Sequence, residues 1–153
     1  MALGLRADFA ANAILPKANV YTDCGGTNIS PALRWSDAPT RTRSFVLTVF
    51  DPDAPRPGGW WHWIAFNIPG AARSLPANAG AKPSGTNGTF GANDFGNKRY
   101  DGPCPPPGKP HRYVFTLYAL SVPHVIIADG KDVHAAIKGR VLESTQLIGV
   151  YGR

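Results

Sequence analysis

The chain has 153 residues, of which 43% are hydrophobic and 17% charged, which predicts a single folded domain over residues 1–153. Its sixteen Lys and Arg and ten Asp and Glu give a formal charge of +6. The basic residues occur mostly singly, which argues against a nucleic-acid-binding protein. No apolar run approaches the ~18 residues of a membrane span, and no signal peptide is visible, so we expect no transmembrane segment and a cytoplasmic location. An export segment outside this sequence is left open.

Apolar and β-branched runs indicate a β-rich chain whose turns are marked by 17 glycines and 15 prolines. Residues 44–50 carry apolar side chains on both faces, which predicts a central strand. Residues 61–68 and 112–120 predict two further strands, and residues 147–151 predict a short terminal one. The expected fold class is therefore mainly β, of the sandwich or barrel type with few helices.

Two other segments have a distinct character. Residues 69–96 are mostly small and polar, which predicts a long surface excursion that borders the site. Residues 129–141 predict the best helix of the chain, with Asp129 as its N-cap and an apolar face that includes Val133 and Ile137.

Residues suited to chemistry concentrate in two patches beside predicted strands. The first joins Asp51-Pro52-Asp53-Ala54-Pro55 to Trp60-Trp61-His62-Trp63. The second runs from Asn93-Asp94-Phe95-Gly96 through Tyr100-Asp101-Gly102-Pro103-Cys104-Pro105-Pro106-Pro107-Gly108 to His111-Arg112-Tyr113. The prolines stiffen both segments, which lowers the entropy lost when a ligand binds.

The two patches suggest an anion site if their histidines converge. His62 and His111 offer donors whose charge responds near neutral pH, which suits phosphate or another small anion. Asp51 and Asp53 would repel a dianion, so we expect them to orient the imidazoles, hold a cation or recognise an ammonium group. Alternation along the strand predicts that His62 points away from both of its tryptophan neighbours.

Other kinds of chemistry have weaker support. No paired Cys motif or helical His pair is present, so neither a metal nor a cofactor is predicted. No Gly-x-Ser-x-Gly elbow occurs, although a hydrolase or lyase using His62 with Asp51 remains a third hypothesis. Cys24 and Cys104 are expected to be free thiols, with a disulfide as the alternative. Cys104 is a candidate nucleophile, although a small buried cysteine is the commoner case.

Several of these motifs resemble, in order, those of the phosphatidylethanolamine-binding protein family, also called Raf kinase inhibitor-like proteins. The resemblance rests on Ser30-Pro31-Ala32-Leu33-Arg34-Trp35 and on the two patches, and it covers most of the chain. In length the chain looks like a short bacterial or archaeal-type member. The resemblance implies a β-sandwich with peripheral helices and a small pocket that accepts phosphate, acetate or phosphoryl headgroups.

The family pattern also implies which residues line the pocket: Asp51, Asp53, His62, Gly102, Pro105, Pro106, His111 and Tyr113. Members are associated with phospholipid headgroup binding, with inhibition of kinases or serine proteases, and with regulatory complexes in plants. We therefore predict a regulatory, non-catalytic anion-binding protein. The alternative is a protease or kinase inhibitor that acts through the basic surface and residues 69–96. A homodimer is left open.

Overall fold

The computed structural model describes all residues from 1 to 153, and its strands form two antiparallel sheets. The strands are β1 (Gly4–Ala7), β2 (Leu33–Ser36), β3 (Ser44–Asp51), β4 (Trp60–Pro69), β5 (Ser74–Leu75), β6 (Thr89–Phe90), β7 (His111–Leu120) and β8 (Val141–Tyr151). The smaller sheet has the order β1-β2-β5, and the larger has the order β6-β4-β3-β7-β8. The mainly β fold class predicted from the sequence is confirmed.

Helical structure is short and peripheral. The α-helix, α1 (Val133–Ile137), has five residues. The 3-10 turns are Lys17–Asn19, Thr22–Cys24, Ala79–Ala81 and Gly130–Asp132. No helix in the chain combines the length and the hydropathy needed to cross a bilayer.

The main hydrophobic core lies between the two sheets, where Trp35 of β2 packs in the same cluster as Leu47 of β3. The opposite face of the larger sheet carries a second cluster, in which Val46 of β3 joins Val133 and Ile137 of α1. Strand β3 is therefore buried on both faces, which explains its unbroken apolar run and confirms the predicted central strand.

The predictions for β4 and β7 are confirmed to within one residue at each end. The prediction for the terminal strand is wrong in length, because β8 begins at Val141 instead of Leu147. None of its first six residues is buried, so this half lacks the apolar pattern on which the prediction depended.

The predicted helix is also too long. Asp129 caps the 3-10 turn Gly130–Asp132, where its carboxylate accepts a hydrogen bond from the Lys131 backbone N–H at 3.2 Å, whereas the N-cap of α1 itself is Asp132. The α-helix ends at Ile137, two residues before Gly139, which has a φ of 77°.

The segment 69–96 is the predicted surface excursion only in part, because residues 81–86 are exposed but other parts of the segment are built into the fold. It supplies β5 to the smaller sheet and β6 to the larger one. Leu75, Ala79 and Phe90 are buried in the main core. These few apolar side chains are enough to anchor the segment, although small and polar residues between them hide the pattern from a sequence-based prediction.

Candidate functional site

A cavity of about 190 Å³ opens at the end of the larger sheet where β3 stops and β4 and β7 begin. Its walls are formed by Asp51, Ala54, Pro55, Trp60, His62, Phe95, Cys104, Pro105, Pro106, His111 and Tyr113. The antiparallel order of these strands brings the two patches together, and six of the eight predicted site residues line the cavity. Its volume is below the ~300–1,000 Å³ of sites for drug-sized molecules, so it suits a small ligand or one small group of a larger one.

A β-bulge positions His62. In the pairing of β3 with β4, Val49 lies opposite Trp63 and Phe50 lies opposite Trp61, so His62 is an extra residue without a partner. Trp61 consequently packs on the second cluster, whereas Trp63 lies in the main core. The expectation that His62 faces away from both tryptophans is wrong, because the bulge interrupts the regular alternation.

The hydrogen bond to His62 fixes which of its ring nitrogens is protonated. Nδ1 lies 2.7 Å from the backbone carbonyl oxygen of Asp101, which can only accept, so Nδ1 carries the proton. Burial lowers the pKa of His62, and this outweighs the opposing effects of the Asp101 carbonyl and of nearby carboxylates. The ring is therefore neutral near pH 7, and its Nε2 is an acceptor without a protein partner.

A carboxylate holds the second histidine. His111, the first residue of β7, has Nδ1 2.7 Å from Oδ2 of Asp51, the last residue of β3. The other oxygen of Asp51 accepts a hydrogen bond of 2.7 Å from the backbone N–H of Asp53. Asp51 therefore fixes the orientation of His111, whereas His62 has no carboxylate on its ring.

Two residues predicted for the site lie outside the cavity walls. Asp53 forms a bidentate ion pair with Arg112, at 3.0 Å from Nε and 2.9 Å from the terminal nitrogen. Hydrogen bonds from Arg112 lower the pKa of Asp53 to about 2. Gly102 packs behind the site, where a Cβ would collide with the Asn19 carbonyl, and its N–H donates to Asn28 Oδ1 at 2.7 Å. Gly102 thus permits the close approach of two backbone segments.

Two residues in the cavity wall contain buried polar atoms without a hydrogen-bond partner. They are the Tyr113 hydroxyl and the indole N–H of Trp60. Tyr113 is 1% exposed, and its ring packs edge-on to His62 at 5.2 Å between ring centroids. Burial raises the pKa of Tyr113 most, and the charge and proximity of the Asp51 carboxylate raise it further, so the phenol keeps its proton. The hydroxyl lies near Asp51 but does not reach hydrogen-bond geometry with it. Buried polar groups are nearly always paired, so an unpaired donor in a cavity wall needs a partner that a bound ligand or an ordered water can supply.

A cluster of polar side chains that was not predicted from the sequence supports His62 from behind. Asp101 is fully buried, and each of its carboxylate oxygens accepts two hydrogen bonds. The donors are Asn28 Nδ2 at 3.0 Å, Arg99 Nε at 2.9 Å, Asn93 Nδ2 at 2.8 Å and Asn97 Nδ2 at 2.9 Å. Three of these donors lie in or near the second patch. The side-chain amides close to Asp101 in the sequence were the signal that could have indicated the cluster. Nothing in the sequence pointed to Asn28.

Cys24 and Cys104 form a disulfide with a Cα–Cα distance of 5.5 Å, so the prediction of free thiols is wrong. The backbone N–H of Tyr21 donates to the carbonyl of Pro103 at 3.0 Å and brings the two loops together. A separation of 80 residues gave no sign of this proximity. The bond also excludes Cys104 as a nucleophile, because a disulfide sulfur has no thiolate to offer.

No Lys or Arg lines the cavity, and the nearby guanidinium groups have other partners. Arg112 pairs with Asp53, and Arg56 pairs with Asp94 at 2.9 Å. Arg153 donates to the carbonyl of Pro105 at 2.7 Å. No three side chains of the His, Cys, Asp or Glu types are grouped as a metal ion would require.

Fold and cavity together define an antiparallel β-sandwich protein with a small pocket at one end of its central strands. A family model described as phosphatidylethanolamine-binding protein matches residues 6–152. The UPF0098 protein YbhB of Escherichia coli K12 is 45% identical over 122 residues, which cover 76% of each chain. A UPF0098 protein of Aquifex aeolicus is 43% identical over 143 residues, which cover 91% of this chain and 81% of that one.

The crystal structure of E. coli YbcL, described as a new member of the mammalian PEBP family, aligns with a TM-score of 0.92 at 34% identity. The alignment covers 100% of this chain and 99% of that chain. The chain therefore belongs to the phosphatidylethanolamine-binding protein family, which confirms the family predicted from its motifs.

Proposed function

We propose that the protein binds a small oxyanion, such as phosphate or the phosphoryl group of a larger ligand, in the pocket between His62 and His111. The observation that carries the proposal is the Tyr113 hydroxyl, a buried donor in the pocket wall without a partner. Leaving such a group unpaired costs about 1–3 kcal/mol, and an anionic oxygen would satisfy it. The family's name supports a phosphoryl ligand.

The proposal includes a regulatory role by binding, without catalysis. The hydrolase or lyase hypothesis needs Asp51 to orient His62, but Asp51 contacts His111 instead. Cys104 is bonded to Cys24 and supplies no nucleophile. Inhibition of a serine protease or kinase through the basic surface and residues 69–96 draws on the family resemblance and on the charge of +6, and no contact in the protein identifies a partner.

The disulfide bears on location. Disulfides persist mainly in oxidising compartments, such as the periplasm or the extracellular space. The bond between Cys24 and Cys104 therefore favours such a compartment over the cytoplasm expected from the sequence.

Calorimetric titration with inorganic phosphate and with phosphoethanolamine at pH 6 tests the proposal. We expect the wild-type protein to bind both anions. Tyr113→Phe should weaken binding at least tenfold, because a hydrogen bond to a charged group contributes about 1.5–3 kcal/mol. Tyr118→Phe is the matched control, since Tyr118 lies on the same strand but outside this pocket, and its affinity should equal that of the wild type.

Two results would contradict the proposal. If neither anion binds, the pocket is not an oxyanion site. If Tyr113→Phe binds with unchanged affinity, the Tyr113 hydroxyl is not the donor to the anion. Turnover of a phosphoester panel by the wild-type protein, lost in His62→Asn, would contradict the non-catalytic role.

A further inference from the structure

Given the proposed oxyanion pocket, we infer that its ligand is an oxyanion carrying an acid proton, such as dihydrogen phosphate or a singly protonated phosphate monoester, and not a phosphodiester. The inference rests on the juxtaposition of an acceptor, Nε2 of His62, with a donor, the Tyr113 hydroxyl, in a pocket without a fixed cation.

His62 is held in a single tautomer. Its Nδ1 faces the carbonyl of Asp101, and a carbonyl oxygen accepts but never donates. The carbonyl is held in place because the Asp101 side chain is anchored by four donors. The neutral ring consequently presents a lone pair at Nε2, and only protonation to imidazolium would convert Nε2 into a donor.

Protonation of His62 is unfavourable in this environment. His62 is 3% exposed, and burial lowers its pKa despite several neighbouring carboxylates. Each of these carboxylates already pairs with Arg56, Arg99 or His111. The titratable groups that face His62 are Asp51, Asp94 and Asp101, the His111 imidazole in the same pocket, and the Tyr113 phenol.

A ligand oxygen that contacts Nε2 of His62 must bring its own proton. An oxygen without a proton would place its lone pair against that of Nε2, and no Lys or Arg in the pocket wall would compensate. A protonated oxygen donates to Nε2, while a second oxygen of the same ligand accepts from the Tyr113 hydroxyl. A site built around such a pair discriminates strongly, because a ligand that lacks the proton leaves a buried group unpaired.

The proton balance gives the inference a direct readout. A phosphate monoester has its second pKa near ~6, so at pH 8 it is free in solution mainly as the dianion. Forming the complex at that pH takes up one proton from the buffer, which is shared between the ligand oxygen and Nε2 of His62. At pH 5 the ligand already carries the proton, and no uptake occurs.

The same chemistry separates two sources of a phosphoryl group. The headgroup of an intact phospholipid is a phosphodiester and has no acid proton on phosphorus. A free monoester, such as phosphoethanolamine, has one. The pocket therefore favours soluble monoesters or inorganic phosphate over the headgroup of a membrane lipid.

Methyl phosphate and dimethyl phosphate are the probes, because at pH 5 both carry one negative charge and only the former has an acid proton. At pH 5 we expect methyl phosphate to bind at least tenfold more tightly than dimethyl phosphate. Calorimetry at pH 8 in two buffers of different ionisation enthalpy should show uptake of about one proton per bound methyl phosphate. This comparison needs only the wild-type protein.

His62→Asn then assigns the proton. The asparagine amide can donate to the Asp101 carbonyl as Nδ1–H does, but it has no counterpart of Nε2. We expect the variant, checked for folding by its thermal transition, to lose both the preference for methyl phosphate and the proton uptake. His124→Asn is the control, since His124 is exposed and outside the pocket, and it should behave as the wild type.

Equal affinity for the two esters, absence of proton uptake at pH 8, or uptake that persists in His62→Asn would each overturn the inference and leave the oxyanion pocket standing. If neither ester nor inorganic phosphate binds, both the inference and the proposed function are overturned.

Discussion

The Asp101 cluster and the pocket lie on two sides of the same imidazole ring, and both are buried and polar. Behind His62, every oxygen of the Asp101 carboxylate has two donors. In front of it, the Tyr113 hydroxyl and Nε2 of His62 have no protein partner. The difference separates polar residues that hold the fold together from polar residues that remain available to a ligand.

The two regions are also connected through the loop between them. Oδ1 of Asn93 accepts hydrogen bonds from the backbone of Phe95 and of Asn97, both at 3.0 Å. The loop thereby directs Phe95 into the pocket wall, where its ring lies 5.6 Å from that of His62. The Asp101 cluster, whose hydrogen bonds are complete, thus positions Phe95 in the wall of the pocket.

The largest loss of stability is expected from a change in the Asp101 cluster behind His62. Asp101→Ala removes the acceptor of four donors, and breaking a buried charged network typically costs about 3–5 kcal/mol. Urea unfolding should show this loss. Asp53→Ala provides the contrast, because its carboxylate accepts three hydrogen bonds from Arg112 at the surface, where solvent can replace them. Equal losses in the two variants would show that burial does not distinguish the clusters.

The disulfide joins the pocket wall to the N-terminal part of the chain, and its removal should have the next largest effect. We expect Cys24→Ala/Cys104→Ala to lose about 2–4 kcal/mol of unfolding free energy, because the denatured chain regains the freedom of a long loop. Reductant should destabilise the wild-type protein similarly and leave the variant unchanged. Alkylation of two thiols in unreduced protein would show that the bond does not form.

The smallest change in stability is expected from a change in the pocket in front of His62. Tyr113→Phe without ligand should unfold within about 0.5 kcal/mol of the wild type, because the hydroxyl it removes has no partner to lose. Tyr100→Phe is the matched control, since the buried Tyr100 hydroxyl donates to the Asn19 carbonyl at 2.6 Å. That variant should lose about 1–3 kcal/mol by leaving the carbonyl unpaired. If both variants lose equally, the Tyr113 hydroxyl has a partner after all.

The sequence predicted the parts of the site that depend on short-range pattern. Strands β3, β4 and β7 are buried and apolar, so their limits are visible, and the antiparallel order then places Asp51, His62 and His111 at one end of the sheet. The bulge at His62 was not predictable, because its insertion depends on which residues of β3 and β4 pair.

Contacts between distant segments were also beyond the sequence. Asn28 reaches Asp101 across 73 residues, and a single sequence gives no reason to connect them. Cys24 reaches Cys104 across 80 residues. Free thiols were predicted because no export signal is visible, and the sequence carries no information on the distance between the two cysteines. Both contacts depend on the 3-10 turn at Thr22–Cys24 and its neighbours lying against the loop before β7.

The bond between Cys24 and Cys104 divides the chain into a closed ring of backbone, which contains β2 to β6, and an open segment with β7 and β8. Asp51 and His62 belong to the ring, whereas His111 and Tyr113 belong to the open segment. Formation of the disulfide-closed ring therefore supplies only part of the pocket wall. The rest of the wall forms when β7 pairs with β3. A ligand bound as proposed would contact both parts and would therefore oppose detachment of β7 and β8 from the rest of the protein.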